Sequence, residues 1–301
     1  MRLRRFSPMV RDVASDWLAT VRVSERVREN YEAYLRNWVL PELGDVRVSS
    51  LSAGHVERLM LLMDRCGRRP QTVRHVFNVV SMLSKWAMRE GLLERSPLEH
   101  VKPPRVGTAQ VTIPDEVDVR RLLVAATGWP GRPTGWMHVF LTAAVETGAR
   151  RGELLALQWE DVRGDVITIR SSVTLLKGGP VLKGTKTDRP RRLAAPVSVE
   201  SMLTLPRRGR FVFGGPKGQL RAPNAVSFEY VKLCRSIGVK ARLHDLRHFN
   251  ATVLISSGVD VRTVAQRLGH SRPSTTLDVY SHWLPSADAK AAAVIGRTLL
   301  G

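Results

Sequence analysis

Cysteine is scarce in this chain: among 301 residues only Cys66 and Cys234 occur. Two thiols so far apart in sequence make no disulfide framework, so stability must come from packed cores, and the usage fits a reducing cytoplasm. Long apolar runs are missing as well. No stretch approaches the roughly 20 apolar residues that cross a bilayer, and the basic opening Met1-Arg2-Leu3-Arg4-Arg5 leads into no apolar segment of the kind a secretion signal carries. Acidic residues are in deficit, 27 Asp and Glu against 47 Lys and Arg, for a formal charge of +20. An excess of that size calls for a polyanionic partner, and nucleic acid is the commonest. A membrane surface is the rival, but no spanning or signal segment favours it. What is present is 43% apolar residues in a chain long enough for two ordinary domains, each with its own core.

The first third reads as helices. Val10, Val13, Trp17, Leu18 and Val21 recur at helical spacing, and Ser24 is placed to cap a second helix that runs to about Leu40, where Pro41 and Gly44 end it. A third helix is expected over Ala53 to Arg65. A fourth starts near Pro70, carries Val73, Val76, Val80, Leu83 and Ala87, and stops at Gly91. Residues 1–100 thus read as an all-α module rich in arginine. The aperiodic, Pro-containing segment 101–111 reads as a linker. Beyond it, residues 112–301 read as mainly helical with a small antiparallel sheet. Pro114-Asp115-Glu116 opens one helix and Trp136 to Thr147 forms another. Strand formers occupy Val166 to Ile169 and Val173 to Leu176, before the turn Gly178-Gly179-Pro180. Val181-Leu182 and Arg192-Leu193-Ala194 are expected to form two further strands around a basic turn, Lys183 to Arg191. Helix returns after Asn224, with Gly258 and Asp260 as a stop and the next N-cap.

Breaking a phosphodiester without water or metal as the attacking agent requires three things. These are a nucleophile that links covalently to phosphorus, cations for the non-bridging oxygens, and a proton donor for the leaving oxygen. Arginine suits the second role, because its planar fork binds phosphate bidentately and stays charged. The second domain carries these residue types in order: Thr147-Gly148-Ala149-Arg150-Arg151-Gly152-Glu153, the basic turn with Lys183 and Lys186, His244-Asp245-Leu246-Arg247-His248, Leu268-Gly269-His270, and Thr275-Thr276-Leu277-Asp278-Val279-Tyr280. Gly148 is placed to break a helix so that Arg150 starts the next, beside outward-pointing N–H groups. His244 and Arg247 share a helical face.

This ordered set resembles the tyrosine recombinases, the family of phage integrases and of bacterial recombinases that resolve chromosome dimers. The resemblance covers the chain from about Thr112, and more loosely the helical module, which looks like that family's core-DNA-binding domain. It implies that Arg150 and Arg247 hold the scissile phosphate, with Glu153 helping to hold the site. His244 assists in proton handling, His270 donates a hydrogen bond to the phosphate, and Lys186 is the general acid. Tyr280 is the nucleophile of a 3′-phosphotyrosyl link that releases a 5′-hydroxyl. A phenol with an ordinary pKa of about 10 needs such a cationic cluster to act at neutral pH. The link conserves the phosphodiester's energy, so neither ATP nor a metal cofactor is called for. The resemblance further implies a C-shaped clamp on double-stranded DNA. It implies a homotetramer that passes through a Holliday junction, with a C-terminal helix over Ser286 to Leu300 exchanged between protomers. An accessory directionality factor is a further candidate partner.

Alternatives stand beside several of these readings. Arg151 competes with Arg150, and Lys183 and Lys177 compete with Lys186. His248 stands four residues from His244, a spacing that also suits zinc, but no acidic or thiol partner completes a site nearby, so a structural role is favoured. The C-terminal helix could pack on its own domain. Arg28, Arg36, Arg68, Arg69, Arg74 and Lys85 are candidate phosphate contacts. Helices begin almost at the N-terminus, which predicts a recombinase without an arm-binding domain or a shortened chain. Phage or mobile-element integration and excision is the favoured role, with chromosome-dimer resolution as the alternative. A type IB topoisomerase-like enzyme and a non-catalytic DNA-binding regulator are the remaining rivals.

Overall fold

The computed structural model describes residues 7–107, 113–130, 135–184, 190–270 and 295–299. The chain divides into two compact units, Met1–Gln110 and Val111–Gly301.

The described part of the first unit is helical. Helix α1 (Val10–Thr20) buries Val10, Val13, Ala14 and Trp17 on one stripe, as its periodicity requires. Helix α2 (Glu25–Tyr34) follows Ser24, which stands at the N-cap. The second helix does not end at Leu40. A π-turn over Leu35–Val39 leads into α3 (Leu40–Leu43), so Pro41 lies within the last helical turn. Proline lacks an N–H and crowds the carbonyl four residues back, and a widened turn at that point relieves both problems. Helices α4 (Ala53–Arg65) and α5 (Pro70–Arg89) complete the unit. Leu35, Val39, Leu59, Met63, Val76, Val80 and Leu83 fill its core.

Several arginines of this unit hold the fold. Arg28 donates to the carbonyls of Leu18 and, at 3.0 Å, Val21, closing the end of α1. Arg74 donates to Pro104 O at 2.8 Å, and Arg68 lies 4.9 Å over the Trp38 ring. Tyr31 stacks on Trp17 and Tyr34 on His75. Arg36, Arg69 and Lys85 are exposed.

The second unit is organised on α7 (Trp136–Thr147), whose buried residues run right around the helix, including Trp136, Met137, Phe140, Leu141 and Ala144. A helix apolar on all faces must be enclosed. Here α6 (Glu116–Thr127), α9 (Pro196–Leu203) and α11 (Asp245–Ser256) enclose it. Asp115 caps α6 by accepting from Asp118 N at 2.7 Å. After α7 come α8 (Arg151–Leu155) and the strands β1 (Val162–Arg163), β2 (Val166–Ile169), β3 (Ser171–Leu176), β4 (Gly179–Gly184) and β5 (Arg191–Ala194). Helices α10 (Pro223–Ser236) and α12 (Val261–Leu268) also belong to this unit.

The strands do not form the single sheet expected. They make two: β1-β2-β5, and a separate hairpin of β3 with β4. The segments on either side of the basic turn therefore pair with earlier strands and not with each other. Leu182 pairs with Val173, and Leu193 with Ile167. The reason is burial: Ile167, Ile169 and Leu193 share the main core, and pairing β5 with β2 puts all three on it. Cys66 is an exposed thiol and Cys234 a buried one. Among the described residues no helix is long and apolar enough to cross a membrane.

Candidate active site

The site begins where α7 ends. Gly148 adopts a left-handed conformation (φ 61°) and its N–H closes the helix onto Ala144 O at 3.1 Å. A Cβ there would also lie 2.5 Å from Leu268 Cδ2 and 2.8 Å from Asn250 Oδ1, so only glycine lets α11 and α12 come this close. Thr147 donates to Ala143 O and accepts from Ala149 N, which sets the chain's exit. Arg150 then stands in extended conformation at the N-cap of α8.

Arg150 does not offer a bare helix end to an anion. Its backbone N–H donates to Glu153 Oε2 at 2.8 Å, and its Nη1 donates to Oε1 at 2.9 Å. Its Nη2 lies 3.4 Å from the Gly269 carbonyl. Glu153 is 3% exposed and also accepts a fork from Arg191, Nη1 to Oε1 at 3.2 Å and Nη2 to Oε2 at 2.6 Å. Burial alone would raise this carboxyl's pKa. Arg191 and then Arg150 outweigh the burial and hold it below the usual value.

Helix α11 brings the second arginine. Arg247 is 3% exposed and donates from Nη1 to Gly148 O at 2.8 Å. Asn250, one turn on, donates to Val145 O at 2.8 Å and Glu146 O at 3.0 Å, while Arg267 of α12 donates to Glu146 O at 2.9 Å. The last carbonyls of α7, which no helical N–H can reach, are thus met by side chains of α11 and α12. Asp245, also buried, accepts from Arg242 N at 2.7 Å and from its guanidinium, which shapes the loop that presents His244.

Arg150, Arg151, Arg242, His244 and Arg247 line one cleft of about 420 Å³, with Ser172 of β3 on its wall. His270 completes the cluster. Its backbone N–H closes α12 onto Ala265 O at 3.0 Å, and its ring lies among Arg247, Arg150, His248 and His244. His244 and His270 are each pushed down to about 4, by burial first and then by these neighbouring positive groups. His248 packs edge-on against His244, with ring centroids 5.1 Å apart, and burial lowers its pKa too. Among the described residues no group of three His, Cys, Asp or Glu could hold a metal.

Arg150, Glu153, His244, Arg247 and His270 are therefore brought together. Lys186, Tyr280 and most of the C-terminal segment lie outside the described residues. Arg151, the alternative to Arg150, turns to Ser227 Oγ and has no bond to Glu153 in the described set. Of the alternative lysines, Lys183 pairs in register with Ser172 on the cleft wall, whereas Lys177 sits at the far turn of the hairpin. Sequence reasoning missed Arg191, Asn250 and Arg267. A signal existed for Arg191: strand alternation puts it on the same face as Leu193, which is buried, and opposite exposed Arg192. A cation on the inner face of a strand needs a buried partner.

Four arginines line this cleft and burial holds the two histidines of the cluster neutral, a donor set able to bind a phosphate. Consistent with this geometry, residues 115–286 match the model of the phage integrase family. That match covers more than half of the chain, which belongs to this family, the tyrosine-type site-specific recombinases. A tyrosine recombinase XerC-like protein of Caldanaerobacter subterraneus subsp. tengcongensis is 25% identical, over 94% of this chain and 82% of its own length. The ICEBs1 integrase of Bacillus subtilis is 26% identical, over 75% of this chain and 65% of its own length. In fold the chain is similar to the Tn1549 transposon integrase in complex with a circular intermediate DNA, with a TM-score of 0.82 at 16% identity, covering 96% of this chain and all of that one.

Proposed function

We propose that this recombinase cleaves and rejoins double-stranded DNA through Tyr280. The observation that carries the reading is that Arg150, His244 and Arg247 line one cleft, with His270, from a third stretch of sequence, in electrostatic reach of all three. Three of the four tyrosines have other duties. Tyr31 and Tyr34 are in ring stacks, and Tyr230 is 1% exposed, its phenol kept protonated by burial. In the step, Tyr280 Oη bonds to the scissile phosphorus as the P–O5′ bond breaks. The phenolic proton passes toward His244, and Lys186 supplies a proton to the departing 5′-oxygen. Arg150 and Arg247 take up the charge that builds on the non-bridging oxygens. Attack by a 5′-hydroxyl of the same or another strand reverses the step.

The first unit is the proposed core-DNA-binding domain, in which exposed Arg69 and Lys85 remain for phosphate contacts. Assembly is as a homotetramer, with the C-terminal helix exchanged between protomers. In favour of this, residues 295–299 are helical, with Ile295 58% and Leu299 78% exposed. Integration or excision of a phage or mobile element is the role we infer. The XerC-like relative favours chromosome-dimer resolution as the second reading. A nicked suicide duplex carrying an attachment site tests the chemistry. A covalent adduct lost in Tyr280→Phe supports it, and an undiminished adduct removes Tyr280 from the role. Exchange between two marked duplexes separates recombination from simple relaxation.

A further inference from the structure

Arg191 has no part in the bond-breaking step above, yet the parts of the site meet on it. It opens β5, and its side chain is only 13% exposed. Its fork spans both oxygens of Glu153, and its Nε donates to Arg267 O at 3.0 Å. Gly269 lies against the same guanidinium. A Cβ at Gly269 would be 3.0 Å from Arg191 Nη1, and the residue's φ of 69° already favours glycine. One planar group thus ties α8, which carries Arg150 and Glu153, to the end of α12, from which His270 emerges.

The charge arithmetic gives this arrangement a consequence. Glu153 is a buried carboxylate with two cations on it, Arg150 and Arg191. If Arg150 were its only partner, the full negative charge would be matched by the residue that must serve the phosphate. With Arg191 sharing the carboxylate, the triad keeps a net positive charge, and it is Arg150 that lines the cleft. Lysine cannot replace this fork, because one ammonium does not reach two oxygens and a carbonyl in a plane.

We propose that Arg191 is a positioning residue for strand cleavage: it shares the Glu153 carboxylate with Arg150, leaving Arg150 cationic toward the scissile phosphate, and it fixes the turn that carries His270. The inference rests on the cleavage reading given above, and its test is built so that the two can fail separately.

The variants are Arg191→Lys, Arg191→Gln, Glu153→Gln and the Arg191→Gln/Glu153→Gln pair, all in the full chain. The first readout needs no catalysis: amide hydrogen exchange by mass spectrometry. Losing the fork raises exchange in peptides covering residues 150–153 and 267–270, while peptides of α10 exchange at the wild-type rate. Unchanged exchange in those two segments overturns the proposal. The second readout is the rate of adduct formation at saturating nicked duplex, with affinity for uncleaved duplex measured separately. Arg191→Lys slows the rate by about 10- to 100-fold, as expected of a misplaced supporting group, and leaves affinity nearly unchanged. The double variant is no slower than the slower single. Defects that multiply, or a loss confined to affinity, overturn the proposal. An adduct that survives Tyr280→Phe defeats the cleavage reading instead, and the exchange result still decides Arg191.

Discussion

Arg247 donates to the carbonyl of Gly148 at 2.8 Å, so one buried guanidinium both ends α7 and faces the cleft. The helix terminus and the phosphate site are therefore one construction, and a fault in the first will reach the second. Gly148→Ala tests this. The new Cβ would overlap Leu268 and Asn250 and would sit at a φ of 61°. Left-handed strain costs about 1–2 kcal/mol and overpacking about 1–3 kcal/mol. Chemical denaturation should show a loss of roughly 2–5 kcal/mol from their combination, with adduct formation falling as well.

Asn250 offers a quieter test of the same junction. Its amide donates to two carbonyls at the end of α7. Asn250→Asp keeps the shape but turns a donor into a third acceptor among acceptors. Leaving buried polar groups so mismatched costs about 1–3 kcal/mol. A variant as stable as the wild type in urea would mean that the carbonyls find other partners.

The neighbouring arginines separate in the structure and should separate in kinetics. Arg150 is bonded to Glu153 and stands with the histidines, whereas Arg151 turns to Ser227. Removing a donor to developing charge costs about 100- to 1,000-fold in rate, which is the loss expected of Arg150→Lys at saturating DNA. Arg151→Lys is expected to act on affinity, with its cleavage rate kept. Equal rate losses in single-turnover cleavage would contradict the assignment.

Much of this could be read from the sequence, and the reasons differ by element. Helices α1, α4, α5 and α7 announce themselves because each has a long apolar stripe or run between clear stops. The site motifs were visible because their residue types suit one chemistry in one order. What could not be read was set by non-local pairing. Nothing local says that β5 will pair with β2 and not β4. Pro41 falls inside a helix because a π-turn precedes it, a compensation invisible to propensity. Arg191 stands in a basic run, where only alternation with the apolar Leu193 marks it as the inward member, and that signal emerges only once the strand itself has been placed.

The histidines make the site sensitive to pH in a direction that can be worked out. His244 and His270 are held near 4, by burial first. For His244 the next causes are His248, Arg247 and Arg150, with Asp245 opposing; for His270 they are Arg247, Arg150, His248 and His244. In the unfolded chain both titrate at the ordinary value, about 6.5. Above that pH neither state holds the protons, and the contribution to stability is intact. As pH falls toward 4 the unfolded chain binds two protons that the folded chain refuses, so stability is lost through this window. The melting temperature should fall across it, less steeply in His244→Gln and His270→Gln. DNA reverses the balance, because a phosphodiester between Arg150 and Arg247 brings a further anion beside both rings. Both histidine pKa values then rise, binding takes up protons, and affinity for duplex strengthens as pH falls from about 7 to about 5. Calorimetry in buffers of different ionisation enthalpy measures that uptake directly. Proton release on binding, or an uptake unchanged in both histidine variants, would place the phosphate away from this cluster.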